Sequence, residues 1–216
     1  MRYISLILTL LFFIPNFAQW QWRAPVTDIV SEETGDQPDA FLWIPEDCDT
    51  VRAVMFAMQN MNEETLFEME SFRRRLAEMD VAMIWFSPGF GQEWDVKHGV
   101  DVAFDHTLAD LAAASGYEEI ATAPLIPFGH SAQATMPWNF AAWNPNRTLC
   151  VISYHGDAPR TNLTGYGREN IEWGRTRNID GIPGLMIEGE YEWWDERVRP
   201  ALAFVMKYPK SCVSFL

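Results

Sequence analysis

Ala123-Pro124-Leu125-Ile126-Pro127-Phe128-Gly129-His130-Ser131-Ala132-Gln133-Ala134 is the stretch that decides the fold. A short apolar run reaches a glycine, a serine follows two residues later, and small residues open a helix-like segment. This is the layout of a nucleophile elbow, a tight strand-to-helix turn that lifts a serine hydroxyl above the edge of a sheet. A serine on such a strained turn leaves no room for bulky neighbours. Gly129 and Ala132 meet that demand, whereas Gln133 stands where the usual Gly-x-Ser-x-Gly pattern has its second glycine.

Outward from this stretch the chain alternates regularly. Apolar runs at 51–58, 81–86, 125–128, 149–154 and 183–187 read as strands, with a shorter extended segment at 41–45 and a last strand at 212–216. Helical spacing occupies 63–79 through Leu66, Met69, Phe72 and Leu76, and 100–114 through Val102, Phe104, Leu108 and Leu111. Further helices follow Ser131 and cover 198–206. Pro137 lies within the post-serine helix and is expected to kink it near its start. Apolar runs without alternation imply strands buried on both faces, and helices between them imply parallel pairing. The expected fold is therefore α/β, doubly wound around a mostly parallel sheet. Residues 20–39 read as polar and turn-rich. The long loop at 157–181 is expected to cover a site.

The 216 residues suit one domain, read as 19–216. Residues 1–18 read as a secretory signal: Arg2 is basic, residues 4–14 are almost unbroken apolar sequence, and cleavage is expected after Ala18. That run is shorter than the ~20 residues a membrane span needs. The expected location is secreted or periplasmic, with no stable span. A net charge of −14 argues against nucleic acid or an anionic membrane as partner. Cys48, Cys150 and Cys212 lie far apart, and their odd count and apolar neighbours favour buried thiols over a disulfide. The four histidines, His98, His106, His130 and His155, form no metal-ligand motif. The reading calls for no metal and no cofactor.

In open parallel sheets, ligands collect at the carboxyl ends of the strands. The residues at those ends are Gln59-Asn60-Met61-Asn62, Ser87-Pro88-Gly89-Phe90-Gly91, Ser131, His155-Gly156-Asp157 and Glu188-Gly189-Glu190-Tyr191-Glu192-Trp193-Trp194. Polar and titratable groups thus concentrate along one edge. Trp94, Trp138, Trp143, Trp193 and Trp194 fall near the same edge; their faces could stack on sugar rings or simply line the core. His130 reads as a structural histidine beside the turn, and His155 as either structural or site-lining. Asp157 is either a turn residue or an acid at the site, and Glu188 is expected to hydrogen-bond within the fold.

Over roughly residues 40–216 the chain resembles the α/β-hydrolase superfamily. The resemblance rests on Gly129-His130-Ser131-Ala132 after a strand, on the order of elements, and on Ile187-Glu188-Gly189-Glu190-Tyr191-Glu192. In style it is also similar to secreted bacterial serine esterases of polysaccharide breakdown. The resemblance implies that Ser131 is the nucleophile. It implies an oxyanion hole from the backbone N–H of Ala132 with that of Asn60 or Met61. Glu192 aligns with the acid that orients the catalytic histidine, and Glu190 is the close alternative.

The family also places a histidine after the last strand, and none follows His155 in this chain. The apolar ending Lys210-Ser211-Cys212-Val213-Ser214-Phe215-Leu216 reads as a chain cut short within that strand. The alternatives are that His155 substitutes or that the triad is lost. Two functions follow. One is a secreted serine hydrolase acting on a carboxylic ester of a small molecule or acylated saccharide. The other is a non-catalytic glycan- or ligand-binding protein on the same fold.

Overall fold

A computed structural model describes residues 20–91, 94, 96–156, 164–165, 168–169, 179–191 and 193–216. The expected leader at 1–18 and most of the 157–181 loop, Asp157 included, lie outside the described residues.

In chain order the strands are β1 (Trp22–Pro25), β2 (Asp39–Trp43), β3 (Ala53–Met58), β4 (Val81–Ser87), β5 (Leu125–His130), β6 (Val151–Tyr154), β7 (Thr164–Gly165), β8 (Arg168–Glu169), β9 (Pro183–Ile187) and β10 (Cys212–Phe215). One sheet takes the order β1-β2-β4-β3-β5-β6-β9-β10, and β7 and β8 pair separately. Pairing is antiparallel for β1 with β2 and for β2 with β4. It is parallel throughout the rest of the sheet.

The apolar runs are continuous because both faces of the sheet are covered. Along β3, Val54, Phe56 and Met58 join one core cluster, while Ala53, Met55 and Ala57 join another. Along β4, Ala82, Ile84 and Phe86 face the first cluster, and Val81, Met83 and Trp85 the second. Each strand keeps its period of two, and both sets of side chains are buried. The first cluster holds α3 (Val100–Ser115) through Phe104, Leu108 and Leu111, and α4 (Met136–Trp143) through Phe140. Phe56 lies at its centre, with ring centroids 4.8 Å from Phe104 and 4.9 Å from Phe140. The second cluster holds α1 (Glu63–Glu68) through Phe67 and α2 (Glu70–Ala77) through Leu76. A third joins Trp138 and Ala141 of α4 to Met186 of β9 and to Ala201 and Phe204 of α5 (Arg199–Lys207).

Four details differ from the sequence reading. Residues 20–39 contain β1, a four-residue edge strand too short to show alternation. The helix expected over 63–79 breaks at Met69, whose ψ of 123° is extended. Arg73 Nε donates to the Phe67 carbonyl at 2.7 Å, satisfying an acceptor that the break releases. Pro137 does not kink a running helix: a 3₁₀ turn at Ser131–Gln133 precedes α4, and Pro137 sits in the first turn of α4. There its missing N–H costs nothing. Of the cysteines expected to be buried, Cys48 is buried and Cys150 half-buried, but Cys212 is exposed on the outer strand β10.

Candidate active site

β5 delivers the chain to its carboxyl end in extended conformation, with His130 at φ −120° and ψ 139°. The next residue turns sharply. Ser131 has φ 52°, a left-handed conformation that costs a side-chain-bearing residue about 1–2 kcal/mol. Such strain persists only where the surroundings over-determine it. Two glycines supply the surroundings. A Cβ on Gly129 would lie 2.8 Å from the Gln133 carbonyl carbon and 2.9 Å from Pro137 Cδ, nearer still to the Gln133 oxygen. A Cβ on Gly156 would lie 2.8 Å from the Ser131 carbonyl oxygen and nearer still to Ala134 Cβ. The helix side of the turn is therefore pressed against both β5 and the end of β6. Ser153 Oγ adds a hydrogen bond to the Ala134 carbonyl at 3.2 Å.

Gln133 fills the place of the pattern's second glycine without opening the turn. Its side chain is buried. Its Nε2 would stand 3.2 Å from a Cβ on Gly89, so it wedges between the elbow and the turn after β4.

The loop after β3 lies against the elbow. Asn60 Nδ2 donates to the His130 carbonyl at 2.7 Å. The adjacent Met61 is exposed. Glu63, absent from the sequence-level candidates, is also here, and it is only 1% exposed. Its carboxylate accepts from the His130 N–H at 3.2 Å and the Asn62 N–H at 3.0 Å. Burial pushes this carboxyl above the usual carboxylate range, and the N–H groups of Glu63, Asn62, His130 and Met61 oppose that rise. Nothing local in the sequence marks Glu63 as part of the site, because the partner that ties it to the elbow is 67 residues away.

β6 ends beside β5 and brings His155, also left-handed at φ 49°. Its N–H donates to the Ile187 carbonyl at 2.8 Å, and its own carbonyl accepts from Arg197 Nη1 at 3.0 Å. A Cβ on Gly189 would stand 3.1 Å from His155 Cε1, so the imidazole lies against the turn after β9. Tyr154 packs between the two histidines, its ring 4.9 Å from His130 and 4.3 Å from His155; the histidine centroids are 6.3 Å apart. Burial above all, then His155 and Arg197, lowers the pKa of His130.

Glu190 is exposed in the turn after β9, and Glu192 lies outside the described residues. Ser131, Ala132, Asn60, Met61 and His155 are thus gathered at one edge of the sheet, with Glu190 beside them. The tryptophans divide. Trp94 and Trp138 are 1% exposed and belong to the core, the second of the two readings open to them in the sequence. Trp143 is half-buried, while Trp193 and Trp194 are exposed together with Tyr191. Among the described residues no group of three His, Cys, Asp or Glu side chains could hold a metal ion. No described helix is long and apolar enough to cross a membrane.

No family model and no curated protein matches the chain by sequence. Solved structures do match its fold. An S-formylglutathione hydrolase from Agrobacterium tumefaciens aligns with a TM-score of 0.56 and 15% identity, over 90% of this chain and 84% of that one. A thermostable esterase aligns with a TM-score of 0.55 and 12% identity, over 93% of this chain. A substrate-bound, fluorophosphonate-binding serine hydrolase from Staphylococcus aureus aligns at 0.53 and 12%, over 90% of this chain and 88% of that one. The chain spans 55% of the length of the thermostable esterase. Its fold is of the α/β-hydrolase type.

Proposed function

We propose that this chain is a serine hydrolase that cleaves carboxylic esters, with Ser131 as nucleophile. The observation that carries the reading is the left-handed Ser131 at a strand-to-helix turn, pressed into place where Gly129 and Gly156 leave room for no side chain. In this reading Ser131 Oγ attacks the ester carbonyl and a histidine takes its proton. The N–H of Ala132, with that of Asn60 or Met61, holds the oxyanion. Collapse of the tetrahedral intermediate releases the alcohol, and water then cleaves the acyl-enzyme. His155 is the base this chain offers, held by main-chain bonds between the ends of β6 and β9. Glu192 or Glu190 orients it.

The substrate proposed is a small-molecule ester, and an acylated saccharide fits the exposed aromatic groups of Tyr191, Trp193 and Trp194 beside the β9 turn. The same groups favour the second reading, a glycan-binding protein without turnover. The leader expected at residues 1–18 suits a secreted or periplasmic protein.

The test is hydrolysis of chromogenic short-chain acyl esters by the wild type, Ser131→Ala and His155→Ala. Ser131→Ala is expected to abolish turnover while leaving the circular dichroism spectrum intact, and His155→Ala to reduce turnover by at least roughly 10³-fold. Full activity in Ser131→Ala refutes the nucleophile assignment. Full activity in His155→Ala moves the base elsewhere.

A further inference from the structure

The residue before the nucleophile is gripped at both of its main-chain hydrogen-bonding groups by one short segment. Asn60 Nδ2 donates to the His130 carbonyl at 2.7 Å, and Glu63 Oε1 accepts from the His130 N–H at 3.2 Å. Asn60 comes from the short connection between β3 and α1, and Glu63 is the first residue of α1; that connection also carries the N–H, of Asn60 or Met61, proposed to complete the oxyanion hole with Ala132. The second Glu63 oxygen accepts from the Asn62 N–H at 3.0 Å, so the same carboxylate fixes the shape of that loop.

Glu63 is an expensive choice for a structural fastener. A buried carboxylate without a cation is stabilised only by its hydrogen bonds, and the charge still carries a large desolvation cost. Backbone N–H groups supply those hydrogen bonds here. The arrangement holds two separate elements, the elbow and the oxyanion loop, at one fixed spacing. Displacement of reacting groups by about 1 Å costs on the order of 10²-fold in rate, so this spacing is what a hydrolase must control.

We propose that Glu63 and Asn60 form a two-point clamp on the main chain of His130, one on each of its flanking peptide groups, that sets the oxyanion loop against Ser131, making both side chains positioning residues for ester hydrolysis. The proposal rests on the reading of Ser131 as nucleophile.

The test compares wild type with Glu63→Ala, Glu63→Gln, Asn60→Ala and the Glu63→Ala/Asn60→Ala pair. It measures kcat and KM on a chromogenic short-chain ester, the rate of Ser131 labelling by a fluorophosphonate, and amide hydrogen exchange at His130. Glu63→Ala and Asn60→Ala are expected to lower kcat and the labelling rate by roughly 10²-fold, with KM changed by less than about threefold. Glu63→Gln retains one carbonyl acceptor and is expected to recover about tenfold of that loss. The double variant is expected to fall well short of the product of the two single losses, because both side chains hold the main chain of one residue, His130. His130 amide exchange is expected to speed up in Glu63→Gln.

Folded Glu63→Gln and Asn60→Ala proteins with wild-type kcat and labelling rate overturn the clamp. These two variants also carry the test if Glu63→Ala does not fold. A wild-type protein that takes no label on Ser131 overturns the hydrolase reading and with it the clamp's catalytic role. The His130 exchange rates then report separately on whether the clamp holds the peptide.

Discussion

Gly129→Ala is the substitution whose outcome the elbow geometry fixes most tightly. The added Cβ would lie 2.8 Å from the Gln133 carbonyl carbon and 2.9 Å from Pro137 Cδ, against 3.4 Å for the onset of ordinary contact. These obstacles are backbone and a proline ring, so no flexible side chain can swing away. The 3₁₀ turn at Gln133 and the start of α4 must retreat by about half an ångström or more, the Gln133 oxygen furthest, and overpacking of this kind costs about 1–3 kcal/mol. For a domain of this size that lowers the melting temperature by about 2–12 °C. The turn carrying Ser131 moves with the helix, so kcat is expected to fall by roughly 10²-fold even in the folded fraction. Thermal unfolding by circular dichroism and turnover of a chromogenic ester measure the two effects separately. Gly35→Ala is the control. Its Cβ would meet nothing within 4 Å, and only its left-handed φ of 76° is strained. It is expected to cost about 1–2 kcal/mol and leave kcat unchanged. A Gly129→Ala protein melting within about 1 °C of wild type, with full activity, would refute the close-packing argument.

Three other perturbations probe different parts of the molecule. His130 has a lowered pKa, so below its ordinary value of 6.5 the unfolded chain binds more protons than the folded one. Stability is therefore expected to fall as pH drops from 6.5 toward the folded value, and His130→Phe, which keeps a ring against Tyr154, should flatten that slope in denaturant titrations across this range. Arg73 is 4% exposed, lies 5.2 Å from the ring centres of both Trp20 and Trp43, and bonds the Phe67 carbonyl. Arg73→Ala is expected to cost about 2–4 kcal/mol in denaturant unfolding without changing kcat of the folded protein. Trp193 and Trp194 are 64% and 53% exposed. Changing both to alanine is expected to raise KM for acylated saccharides several-fold, on the order of 1 kcal/mol, while leaving a simple acyl ester unaffected; equal effects on both substrates would remove the sugar-stacking role.

What the sequence discloses here depends on how local the cause is. β3 and β4 are legible because burial on both faces leaves an unbroken apolar run. The elbow is legible because Gly129, Ser131 and the helix that follows are neighbours in sequence, and the conformational demand on them is local. β1 is not legible, since four residues at a sheet edge carry too little pattern. The break at Met69 is hidden because Arg73 and the Phe67 carbonyl complete each other only in three dimensions. Glu63 escapes notice for the same reason: its role depends on the N–H of His130, which folding brings to it. Trp94 and Trp138 fall near strand ends in sequence, yet the ring stack around Phe56 and the close approach of Gly184 to the Trp138 ring draw them into the core.

The central claim is that Ser131 is an activated nucleophile. Its most direct test is reaction of the purified protein with a fluorophosphonate probe, followed by mass spectrometric location of the adduct. The account predicts a single adduct on Ser131, lost in Ser131→Ala. A folded protein that takes no label, or takes it on another residue, would contradict it.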